Sequence, residues 1–476
     1  MIEKDSDNSL KFKIADLHCH PNLKTFGHSF SKNNTPKSDI WNYNPPTTFS
    51  KLINVISGIT KFSQADFTTM SKGNVKIAFV SLYPFEKGFF INNYFKNSMT
   101  AWLANMITSI GFQRIRFIQK HLNYFEDLVN EYNFLKNSCK NHKMNNIDYS
   151  WDFASSWDEL SESTCTNNKI NVVLTIEGAH ILNSGLRAFG YKTQENEILN
   201  NIKNIKNWEH PPFFITFAHN FNNELCGHAR SLNQLGPMVN QFENLNAGIS
   251  DLGRKAIAGF LNNQNQKRIL IDLKHMSVKS RFEYYDIIEN EYNSKIPLIV
   301  SHGAVTGTEI KGKHLSSIDA SFLCNDDINF FDEELVLIAK SEGLFALQMD
   351  GNRLTNKSKS RKSIFNLNAK ANIDKSAEII WYQLQHIAEI LDSHNLNSWT
   401  TTCLGTDFDG TINPLSGIWT AEDLQLLANK LLEKARHYLS NKNALQRIQN
   451  TNISPIELVE NFVFNNTYNF LKNHFK

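Results

Sequence analysis

The sequence predicts an α/β chain folded as a (β/α)8 TIM barrel. Eight short, β-rich apolar runs recur along the 476 residues, and segments with helical spacing lie between most of them. Chemistry-bearing side chains fall at or just past the C-terminal ends of most runs. In a barrel those ends converge on one mouth, where chemistry is done. A doubly wound open sheet, the alternative reading, would spread them along a line.

The first run, residues 12–17, leads into Asp16-Leu17-His18-Cys19-His20. The second spans 75–82, and the third, 172–176, closes on Glu177-Gly178. The fourth, 213–217, leads to His219; the fifth, 269–273, to His275; the sixth, 297–300, to His302. The seventh spans 344–349, and the eighth, 401–404, runs into Gly405-Thr406-Asp407. Residues 99–135, 252–261, 379–391 and 424–432 carry apolar side chains three and four apart, the helical period. Residues 456–471 follow Ser454-Pro455, which reads as an N-cap and a proline at the first helical position. The chain reads as one barrel domain over 1–476, with insertions at about 24–74, 84–160, 303–330 and 351–375, after strands 1, 2, 6 and 7. The first two are expected to wall the pocket, with 33–48 restricting substrate size. The polar tract 356–376 reads as a mobile loop.

Composition narrows the function. Apolar residues at 41% and aromatics at 12% supply a large core and exclude wholesale disorder. Lys and Arg total 49 against 47 for Asp and Glu, so no basic excess marks a nucleic-acid binder. A mean hydropathy of -0.38, with no uninterrupted apolar stretch of about 18 residues, excludes a membrane-spanning helix. The first residues, MIEKDSDNSLKFK, lack the apolar region of a signal peptide. Six scattered cysteines form no CxxC pair, as expected of reduced thiols. These features predict a cytoplasmic protein with a small-molecule substrate and no nucleic-acid or membrane partner. A homodimer is compatible with such a barrel, although no sequence feature shows an interface.

The strand ends carry the chemistry. With a period of two, His18 and His20 point the same way, as a ligand pair for zinc or a similar metal. Alone, the same spacing also occurs in core or surface histidines. Glu177, ending an apolar strand, must be paired; it bridges two cations or meets an Arg or Lys, and Gly178 after it implies a tight turn. His275 and His302 would complete a second metal position. Alternation turns Lys274 away from His275. Asp407 is placed to hold a water and accept its proton, and Asp409 to cap the following turn. His219 either donates a hydrogen bond to a polarised carbonyl or is structural. Together these residues fit a binuclear metal site holding a bridging hydroxide.

At this point the sequence resembles the amidohydrolase superfamily and, within it, the membrane dipeptidase family, peptidase family M19. The matching segments are DLHCH, TIEGAH, ITFAHN, ILIDLKHMS, PLIVSHGAV, LGTDFDG and SPIELVENFVFNNTYNFL, which span residues 16 to about 471. The resemblance implies a barrel of the metal-dependent hydrolase type with two zinc ions. His18, His20 and Glu177 would hold one; Glu177, His275 and His302 the other. Asp407 would shuttle the proton and His219 would contact the substrate carbonyl.

Two departures from the family pattern stand out. The first motif is His18-x-His20 where the family has His-x-Asp, leaving the site about one charge more positive. The family's carboxylate-binding Arg after strand 6 is also absent: residue count places Lys313 there, the downstream pattern Ile328, and Arg353 is a further candidate clamp. The implied activity is hydrolysis of small amides, first of dipeptides. The alternatives are hydrolysis of N-acyl amino acids, lactones or cyclic amides, or a catalytically silent binding barrel.

Overall fold

Apolar strands of this kind are stable only when both faces are covered, and the architecture supplies that cover. The computed structural model describes residues 3–4, 10–33, 35–92, 94–164, 166–232, 239–264, 266–356, 370–441 and 444–476. Eight parallel strands run in sequence order around one sheet: β1 (Ile14–Cys19), β2 (Val75–Leu82), β3 (Lys169–Glu177), β4 (Phe214–Thr216), β5 (Leu270–Asp272), β6 (Ile299–Gly303), β7 (Leu344–Leu347) and β8 (Thr402–Leu404). Every residue of β1 and all but Lys76 of β2 are buried. The ring closes where β1 meets the residues after β8. His20 N donates to Phe408 O at 2.9 Å, and Asp407 N to His18 O at 2.9 Å. Each predicted run overlaps its strand within a few residues, and the closed order excludes the open sheet.

Helices cover the outside, among them Glu195–Lys206, Asp251–Leu261, Val278–Tyr292, Asp332–Lys340 and Leu424–Ser440. Several start at serine caps: Ser250 accepts from Gly253 N and Ser277 from Ser280 N. Ser454 caps Pro455–Glu460 as predicted. That segment continues through a π turn, Asn461–Asn465, into Asn466–His474. Among the described residues, no helix is long and apolar enough to cross a membrane.

Two local expectations are corrected, and one element was not foreseen. The helical region 99–135 is three helices, Asn97–Thr108, Phe112–Lys120 and Tyr124–Lys136. The first break comes at Gly111, whose φ of 109° suits glycine. The same connection holds a hairpin, Asn141–Met144 with Ile147–Phe153, turned by Asn145 and Asn146, both at positive φ. Its second strand lies parallel to the first half of β3. Of the tract 356–376, residues 357–369 lie outside the described residues, and from Lys370 onward it is helix, Lys370–Ser393.

Candidate metal centre

Seven side chains singled out from the sequence meet at the C-terminal mouth. Glu177, the last residue of β3, is at the centre. Its Oε1 lies 3.5 Å from Nε2 of His18, of His219 and of His302, and 3.7 Å from Nε2 of His275. Its Oε2 lies 3.1 Å from His20 Nε2. Asp407 Oδ1 lies 3.6 Å from His20 Nε2 and 3.9 Å from His18 Nε2. The imidazoles also face one another, with Nε2 to Nε2 distances of 3.0 Å for His18 and His20 and 3.3 Å for His275 and His302.

At His20 and His302, hydrogen bonds behind the cluster fix which nitrogen looks inward. His20 Nδ1 donates to Ser81 O at 3.1 Å, so its Nε2 lone pair faces the Glu177 carboxylate. Ser301 Oγ donates to Asp272 Oδ2 at 2.6 Å and accepts from His302 Nδ1 at 2.8 Å, which turns the His302 Nε2 lone pair inward too. Thr216 Oγ1 also donates to Asp272, at 2.6 Å. An imidazole nitrogen 3.1 Å from a carboxylate oxygen calls for positive charge between them, supplied by a proton or by a metal cation. The donor set therefore fits a divalent metal, with nitrogen and oxygen ligands suited to zinc and its neighbours. Three compact groups could hold an ion: His18, His20 and Glu177; Glu177, His219 and His275; and His18, His302 and Asp407.

The electrostatics agree. Burial keeps His275 and His302 well below the usual histidine range, helped by the positive groups around them, so both are in the neutral ligating form. Burial works against a charged His20, yet Glu177 and Asp407 lift it to about 9, the mark of a position that wants positive charge. Burial, reinforced by repulsion from Glu177, pushes Asp407 up to about 8. His275 and Asp407 both adopt left-handed backbone, with φ of 66° and 58°. Such strain in non-glycine residues persists only where the surroundings enforce it. Gly178 has φ of 91°, and a Cβ there would meet His180 Nδ1 at 2.3 Å, as the predicted tight turn requires.

A cavity of about 310 Å³ opens above the cluster. Its lining includes Glu177, His219, His275, His302 and Asp407, together with an apolar set, Phe85, Phe89, Phe90, Leu103 and Ile107, from the connection after β2. Ile59 from the connection after β1 also contributes, whereas none of the described residues of 33–48 is part of the lining. Arg353 and Ile328 line the cavity; Lys313 is exposed and does not, because its loop lies outside the mouth. Arg353 is already engaged, donating from Nη2 to Ser231 O, with Nη1 3.7 Å from Asp326 Oδ2. Asp409 caps no following turn. It pairs with Lys24 Nζ at 2.8 Å and accepts from Gln64 N and Ala65 N, bracing the connection after β1.

Several contributors were not foreseen. Glu86, past the end of β2, accepts from His219 Nδ1 at 2.6 Å and from Tyr83 OH at 2.9 Å. Burial opposes charge on His219, but Glu177 and Glu86 raise it above the usual histidine range. Lys274 also differs from expectation. β5 ends at Asp272, alternation ends with it, and Lys274 lines the same cavity as His275. Burial and the nearby Arg353 bring the Lys274 ammonium down to about 7.

A sequence profile described as Membrane dipeptidase (Peptidase family M19) matches residues 33–454. Among solved structures, the chain is similar to dipeptidase AC, a metallo peptidase of family M19, at 12% identity and a TM-score of 0.53, covering 98% of this chain and 99% of that one. It is likewise similar to a metallo peptidase from Rhodobacter sphaeroides liganded with a phosphinate mimic of the dipeptide L-Ala-D-Ala. There the identity is 13% and the TM-score 0.54, with the same coverage of 98% and 99%. No curated protein matches the sequence.

Proposed function

The chain belongs to the membrane dipeptidase family, peptidase family M19, a family of metalloenzymes that hydrolyse peptide bonds, and from that premise we propose that it is a dipeptidase using two zinc ions. The observation that carries the reading is the convergence of five imidazole nitrogens on the Glu177 carboxylate. His18, His20 and Glu177 would hold one cation; Glu177, His275 and His302 the other. When bound, such cations supply an acidified water and a Lewis acid for the scissile carbonyl.

The chain's own side chains do the rest. Asp407 takes a proton from the attacking water at its carboxylate and returns it to the leaving amine. A carboxyl raised towards neutrality by burial suits both directions of that transfer. His219, held protonated by Glu86 at Nδ1, donates from Nε2 to the carbonyl oxygen as negative charge grows there. The apolar part of the cavity lining also suits a bulky acyl group, which favours N-acyl amino acids as the second substrate class.

The test is hydrolysis of L–L and L–D dipeptides and their N-acyl-amino-acid counterparts by zinc-loaded protein, with Asp407→Asn as control. Dipeptide turnover, reduced about 10²- to 10⁴-fold in kcat by the substitution, is expected. Turnover of only the acylated compounds moves the protein to the second class.

A further inference from the structure

Among the described residues, the cavity contains one cation with nothing to pair with. Lys274 is 1% exposed, and its Nζ has no hydrogen-bond partner and no carboxylate oxygen within ion-pair distance among the described residues. Burying an ammonium this way is unfavourable unless something meets it. The other lysine or arginine of the lining, Arg353, already has its partners in Ser231 and Asp326. Gln348, 2% exposed and in the same lining, leaves its Nε2 without an acceptor. Two buried donors of one lining therefore lack an anionic or carbonyl partner among the described residues.

The ligand chemistry follows from position. Lys274 immediately precedes His275 and lines the same cavity as His302 and Asp407. A carboxylate met there is close to the reacting amide. In an amide of an α-amino acid, only the nitrogen and one carbon separate the scissile carbonyl from the free carboxylate. We infer that Lys274, assisted by Gln348, anchors the substrate's free α-carboxylate, making this chain selective for amides whose leaving group is an α-amino acid. The inference rests on the hydrolase reading above. A lysine holds the carboxylate as a point charge with rotatable donors, without the planar fork of an arginine.

The experiment compares Ala-Ala with its C-terminal carboxamide as substrates for zinc-loaded wild type, Lys274→Met and Lys274→Arg. Calorimetry runs alongside, with the phosphinate analogue of Ala-Ala in free-acid and carboxamide forms. Lys274→Met is expected to lower kcat/KM for the free acid about 10- to 100-fold, mainly through KM, the effect of losing one hydrogen bond to a charged group. Any loss shared by the carboxamide measures the other effects of the substitution, so the quantity read is the free-acid-to-carboxamide ratio of kcat/KM, which is expected to fall about 10- to 100-fold. Lys274→Arg recovers most of the free-acid preference. Equal losses on both substrates, carried by kcat, overturn the inference and make Lys274 a support for Asp407. If wild type hydrolyses neither compound, yet prefers the free-acid phosphinate and loses that preference in Lys274→Met, the anchor stands and the proposed reaction falls. A wild type indifferent to the carboxylate in both assays overturns the anchor. Should Lys274→Met not fold, the acid-to-carboxamide ratio in Lys274→Gln decides between the same outcomes.

Discussion

Glu86 controls the charge on His219, because the two share the 2.6 Å contact at Nδ1. Glu86→Gln is expected to lower kcat about 10- to 100-fold and to move the alkaline side of the pH profile to lower pH, because His219 acts in its protonated form, with metal content unchanged. Steady-state kinetics across pH with metal analysis checks it. Glu131 carries a second prediction. It is buried against Tyr83 N and the Asn22 amide, and burial lifts its carboxyl to about 8. A folded-state value above the unfolded one means stability is full below about pH 4.5 and is lost as pH rises towards 8. Glu131→Gln, which mimics the protonated form, should flatten that slope and raise stability above pH 8 by on the order of 3 kcal/mol. Thermal unfolding at pH 5 and pH 9 measures it. His18, His20, Glu177, His275, His302 and Asp407 were legible because each sits at a strand end. Glu86 was not, because β2 stops at Leu82 and no periodicity reaches four residues into a loop. Lys274 was misread because alternation was carried past the end of β5, where His275 turns left-handed.

The element behind His275 is held by a single buried arginine. Arg281, on Val278–Tyr292, pairs with Glu334 Oε1 at 2.6 Å and donates to Met276 O, Asp327 O and Asn329 O at 3.0 Å each. Tyr285 OH and Phe331 N complete Glu334. Arg281→Met leaves that carboxylate buried without its cation and should cost about 3–5 kcal/mol in denaturant unfolding. The helix Asn97–Thr108 governs substrate size, since Leu103 and Ile107 face the cavity. Leu103→Trp should depress turnover of bulky acyl substrates at least about tenfold while sparing Ala-Ala, through steric exclusion alone. Strands were easier to place than helices here. A short apolar run bounded by polar residues defines itself, whereas 99–135 kept a helical period across two breaks that only Gly111 hinted at. The hairpin was missed because Asn141–Met144 is largely exposed and shows no apolar alternation; Asn145-Asn146 was its one turn signal.

At the scale of the molecule, the barrel places one acidic group among five imidazoles, an arrangement stabilised by cations. Removing metal with a chelator should lower Tm, and restoring zinc at about 100 times its Kd should recover roughly 2.7 kcal/mol by mass action. Scanning calorimetry of chelated and reloaded protein reads both. Strand order was legible in full, because sequential parallel strands with covering helices leave few topologies. The closing contact was not, since no local pattern tells His20 that it meets Phe408. That contact also sets when the centre comes into being. A nascent chain that has left the ribosome as far as β7 already carries His18, His20, Glu177, His219, His275 and His302. It lacks Asp407 and the segment that docks beside β1. The first residues of the cluster to be made must wait for the last barrel strand, so the cluster is completed only when most of the chain has been synthesised, and a fragment ending before β8 lacks both Asp407 and the segment that closes the ring.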